Sequence, residues 1–81
     1  MLQPRLTEVI ALDGFQLQLT YETGEVRLFD VLPYIKGQWF GELQDESYFK
    51  TVYLLQGGTG IAWRNGQDIA PHELYEQSIL R

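Results

Sequence analysis

"FQLQLTYETGEVRLFD", residues 15–30, is the stretch on which the fold turns. Phe15, Leu17, Leu19 and Tyr21 alternate with Gln16, Gln18 and Thr20, the period of a strand with one face buried and the other wet. The run breaks at Glu22-Thr23-Gly24-Glu25 and resumes as Val-Arg-Leu-Phe-Asp, which predicts a tight antiparallel hairpin. Gly24 supplies the positive φ that a two-residue loop needs. With Thr23 and Gly24 as that loop, Tyr21 faces Val26, Leu19 faces Leu28 and Leu17 faces Asp30, and the outer face holds Gln16, Gln18, Thr20, Arg27 and Phe29.

Working outward, "LTEVIAL" (6–12) is aliphatic and β-branched and stops at Asp13-Gly14, so it reads as the preceding strand. After Asp30 the alternation ends. Pro33, Gly37 and Gly41 keep any helix short, with Asp30 capping a turn through Leu32 to Ile35 and Trp39, Phe40 and Leu43 forming an apolar stripe on a second helical piece. "YFKTVYLL" (48–55) returns to strand character, and the glycine-rich "QGGTG" leads into "IAW" as another hairpin. Those glycines lack the Lys-Ser/Thr and following helix of a phosphate loop. Asn65-Gly66 marks a further turn, and Pro71 opens a short terminal helix with Glu73 in its first turn, Leu74 inward and Ile79 or Leu80 inward a turn later.

The pattern predicts one α+β domain over residues 1–81: an antiparallel meander of about five strands, short helices covering one face, and a short C-terminal helix. Two Trp, five Tyr and four Phe furnish the core. A chain of 81 residues has a net stability of only about 4 to 12 kcal/mol, so a few buried aromatics decide whether it folds.

Six basic against eleven acidic residues give a formal charge of −5, the wrong sign for direct nucleic-acid binding through the overall field and the right one for a basic protein partner. No apolar run approaches the roughly 18 residues of a membrane span, and the start has no secretory h-region. Cysteine is absent, which removes disulfides and thiolate metal sites. A soluble, cytoplasmic bacterial protein is the expectation.

Candidate chemistry concentrates in "IAWRNGQDIAPHELY" (61–75), where Asp68, His72 and Glu73 invite a metal or acid–base reading. With a single histidine, and with adjacent helical positions pointing about 100° apart, that reading is weak. The structural alternative makes Asp68 a tie for the turn after Asn-Gly and leaves His72 and Glu73 in a solvated first helical turn. His72 has only Ser47 and Ser78 as serine partners, neither in a nucleophile elbow. No catalytic residue, cofactor or metal is expected; a small hydrolase using Asp68 and His72 is the least favoured reading. Aromatics beyond the core would mark an interface, and the expected contact surface is Tyr34, Trp39, Trp63, Asn65 and Asp68.

Taken together, Gly24, Phe29-Asp30, Leu43, Phe49, Trp63-Arg64-Asn65-Gly66-Gln67-Asp68, Pro71 and Leu74-Tyr75 resemble the pattern of a small bacterial family, domain of unknown function 2442. Arg64 departs from it, standing where the family often has proline. The resemblance implies a compact α+β domain on an antiparallel sheet. It also implies a regulatory or toxin–antitoxin-like setting, because such domains occur alone, fused to a helix-turn-helix, or beside other small proteins. The functional expectation is therefore a non-enzymatic interaction or regulatory module with a protein partner, basic or a second copy of itself. The alternative is a DNA-associated regulator that acts through a basic partner.

Overall fold

The computed structural model describes residues 3–35 and 41–80. Strands β1 (Leu6–Leu12), β2 (Gln16–Tyr21) and β3 (Val26–Asp30) form an antiparallel meander, and the expected strands and turn at Asp13-Gly14 are all present. The hairpin register differs from the sequence reading by one residue. Its loop has three residues, closed by Tyr21 N–H donating to the Glu25 carbonyl at 2.9 Å and Gly24 N–H donating to the Tyr21 carbonyl at 2.9 Å. Gly24, at φ 92°, takes the left-handed place that ends such a loop.

The extra loop residue turns β3 over. Leu17 pairs with Phe29, Leu19 with Arg27, Gln18 with Leu28 and Thr20 with Val26. Phe29 thus points inward and is 1% exposed, whereas Val26 and Leu28 point outward. A phenyl ring buries more area than either aliphatic side chain it displaces, and Arg27, now on the core face, finds the partners described below.

Beyond β3 the Asp30 carboxylate accepts the Leu32 amide at 3.1 Å, and a 3₁₀ turn follows at Leu32–Tyr34. The proposed Trp39–Phe40–Leu43 stripe lies outside the described residues at its first two positions; Leu43, in a 3₁₀ turn at Gly41–Gln44, is fully buried. Strand character does not begin at Tyr48. Asp45 accepts the Ser47 amide at 3.0 Å and caps a single helical turn, α1 (Glu46–Phe49), so that local capping overrides β propensity.

Strands β4 (Tyr53–Leu54), β5 (Ile61–Ala62) and β6 (Asp68–Ile69) make a second antiparallel sheet. The β5–β6 turn repeats the first hairpin's chemistry: Trp63 N–H donates to the Gln67 carbonyl at 2.8 Å and Gly66 N–H to the Trp63 carbonyl at 3.0 Å. Between β4 and β5 the chain presses onto β1, where a Cβ on Gly58 would lie 2.3 Å from the Leu6 carbonyl oxygen. Pro71 opens α2 (Pro71–Gln77) and Leu74 is buried, as the sequence implies.

The chain does not end on that helix. β7 (Ile79–Leu80) returns beside β3, giving a four-stranded sheet ordered β1-β2-β3-β7. Ile79 and Leu80 are therefore exposed, at 66% and 64%, where inward packing was expected. Helices and antiparallel strands confirm the α+β class, while the single meander of about five strands becomes, among the described residues, two sheets of four and three strands. One cluster joins them: Leu17, Leu19, Tyr21 and Phe29 from the first sheet, Ile61 and Ile69 from the second, Trp63 just beyond β5, and Leu43, Phe49 and Leu74 from the helical pieces.

Candidate interaction surface

The residues singled out in the sequence scatter. Trp63 is fully buried; its indole N–H donates to the Phe49 carbonyl at 2.9 Å and its ring stacks on Phe49 at 6.0 Å between centroids. It belongs to the core and offers no contact surface. Tyr34 is half-buried with its ring 5.4 Å from that of Phe29, and its hydroxyl pKa is raised, by burial first and then by a hydrogen bond to Glu73. Asn65 is exposed and donates to Glu42 at 2.6 Å. Trp39 lies outside the described residues.

Asp68 sits in β6 opposite Ala62 and, among the described residues, makes no side-chain hydrogen bond, so it does not tie the turn. The turn is held from elsewhere: the Tyr48 hydroxyl accepts the Asn65 amide at 2.9 Å and donates to the Gln67 side chain at 2.6 Å, and Gln67 donates to Glu42 at 2.8 Å. Gln67 is fully buried, and these bonds answer the cost of burying its amide. His72 is exposed in the first turn of α2, and among the described residues no group of three or more His, Cys, Asp or Glu side chains has a metal-binding arrangement.

A second polar cluster escaped the sequence reading altogether. Arg27 donates from Nε to the Ser78 hydroxyl at 2.7 Å and from its terminal nitrogens to the Ser78 carbonyl at 3.0 Å and to Glu25 at 3.1 Å. Its guanidinium lies 4.5 Å from the centre of the Tyr75 ring, and the Tyr75 hydroxyl donates to Glu25 at about 3.0 Å. Glu25 also accepts from Thr23 at 3.0 Å, and these donors, Thr23 and Tyr75 first, hold its pKa below the ordinary value. The cluster hangs on the loop length, which the sequence leaves open: a three-residue loop puts Arg27 inside, and an inward arginine requires partners.

Outside the core, the four-stranded sheet shows a face of its own. Cross-strand pairing places Leu12, Gln16 and Asp30 in one row, Ile10, Gln18, Leu28 and Ile79 in the next, and Glu8, Thr20 and Val26 in the third. Ile10 and Ile79 are 40% and 66% exposed, whereas Leu12, Val26 and Leu28 are partly buried. A separate apolar groove of about 470 Å³ is lined by Phe15, Leu32, Ile35 and Gln44.

Fold and surface define a small α+β domain in which, among the described residues, two antiparallel sheets share one aromatic core and one sheet has a partly aliphatic outer face with Ile10 and Ile79 exposed. A family model described as "Protein of unknown function (DUF2442)" matches residues 6–79, and the chain belongs to that family. No curated protein and no solved structure matches it.

Proposed function

We propose that the domain is a non-enzymatic, acidic protein-interaction module that works in the cytoplasm of a bacterium. The observation that carries this reading is the outer face of the β1-β2-β3-β7 sheet, where Ile10 and Ile79 are exposed and Leu12, Val26 and Leu28 lie beside them, partly buried, among polar side chains. Exposed aliphatic groups in one contiguous patch are what a contact surface presents. The −5 charge favours a basic partner protein, and through such a partner the module would reach DNA-associated regulation without touching nucleic acid itself. No described helix is long and apolar enough to cross a membrane, which agrees with this setting. The test is isolation of the tagged chain from its own host, with light scattering on the eluted material. A stoichiometric complex with another protein is the expected result; a chain that elutes alone and monomeric contradicts it.

A further inference from the structure

The turn between β5 and β6 carries Asn65-Gly66, and Asn65 is the only asparagine of the chain. In a loose peptide this pair reacts with itself. The Gly66 backbone nitrogen gives up its proton and attacks Cγ of Asn65; the N–Cγ bond forms, the Cγ–Nδ2 bond breaks, and Nδ2 departs as ammonia with that proton. Water then opens the cyclic imide and leaves aspartate or isoaspartate at position 65. Glycine favours the attack because no Cβ hinders the close approach of its backbone.

In the folded domain each reacting group is held. Gly66 N–H donates to the Trp63 carbonyl at 3.0 Å, so the attacking nitrogen has its proton engaged within the hairpin. Asn65 Nδ2, the leaving group, donates to Glu42 at 2.6 Å, and the Asn65 backbone N–H donates to the Tyr48 hydroxyl at 2.9 Å. Glu42 and Tyr48 are fixed in turn by fully buried Gln67, whose Nε2 donates to Glu42 at 2.8 Å and whose Oε1 accepts from Tyr48 at 2.6 Å. Reaction therefore requires these bonds to open first, and the free energy of that local opening adds to the chemical barrier. Asn65 and Gly66 are both exposed, so water reaches them as soon as the turn opens. The product then opposes reclosure: a carboxylate at position 65 faces Glu42 where a donor stood, and isoaspartate lengthens the backbone of the turn.

We propose that Asn65 is a deamidation site latched by Glu42 and Tyr48, so that the modification marks chains whose β5–β6 turn has opened. The proposal stands apart from the interaction-module reading and goes beyond it. Its test follows isoaspartate at position 65 by peptide mass mapping of the full chain in neutral buffer at 37 °C, native and in urea. Deamidation in urea should run at least about tenfold faster than in the native chain. Glu42→Ala and, separately, Tyr48→Phe should each raise the native rate at least about fivefold, since each removes hydrogen bonds that hold a reacting group. Gly24→Ala, which weakens the first hairpin and leaves the latch intact, should keep the wild-type rate. Circular dichroism establishes that a variant is folded, and either latch variant alone decides the outcome. Absence of isoaspartate in urea would remove the site. Equal native and urea rates would overturn the latch, as would native rates that neither latch variant raises, or that Gly24→Ala raises as much.

Discussion

Trp63 shows how much of this domain one side chain holds. It is fully buried, bonded through its indole to the Phe49 carbonyl and stacked on the Phe49 ring. Trp63→Ala should cost about 3 to 5 kcal/mol, comparable to the total stability of so small a chain, and thermal unfolding should show most of the variant unfolded at 37 °C. Gly58 and Gly24 make a sharper pair, since both have positive φ but only one has a neighbour. A Cβ at Gly58 meets the Leu6 backbone oxygen at 2.3 Å, whereas at Gly24 nothing lies within 4 Å. Gly24→Ala should therefore cost about 1 to 2 kcal/mol from the left-handed backbone alone. Gly58→Ala should lower the melting temperature clearly further, and equal losses would refute the close approach to β1. What the sequence showed of these residues was their type and spacing; the approach of Gly58 to β1 is a tertiary fact that no local pattern carries.

Secondary structure was legible where alternation was strong. β1, β2, the turn at Asp13-Gly14 and the Pro71 start of α2 stand where periodicity and turn chemistry put them. Loop length was not legible, because Glu22-Thr23-Gly24-Glu25 suits both a two-residue and a three-residue loop, and the choice depends on whether Phe29 or Leu28 reaches the core. β7 was missed for a related reason: its two residues are pinned by Arg27 bonding to Ser78, a contact between positions 51 apart. The Glu25 carboxylate that braces Arg27 has a lowered pKa, so its contribution is complete above the ordinary glutamate value of 4.5 and is lost as pH falls through the lower folded-state value. An acid titration of stability should show that loss, and Glu25→Gln should flatten it. At the other end of the scale, burial pushes the Tyr21 hydroxyl to about 12, so its contribution persists below pH 10 and fades as pH rises toward 12.

The assembled fold explains why the expected contact residues did not converge. The aromatics that looked available for a partner are largely consumed by the core that joins the two sheets, with Phe29, Phe49 and Trp63 all at 1% exposure or less. In a domain of this size the remaining surface is set by strand register, and that register turned Val26 and Leu28 outward to complete an aliphatic face that the two-residue-loop reading had placed inside. The acidic balance, by contrast, was plain from composition and bears directly on the kind of partner the face suits. The most direct test compares how Ile10→Lys and Tyr53→Lys variants retain the chain's native partner, both at exposed positions and each checked for an unchanged melting temperature. Retention should fall at least about tenfold for Ile10→Lys and stay near wild type for Tyr53→Lys. Full retention by Ile10→Lys, with loss confined to Tyr53→Lys, would contradict the assignment of the sheet face.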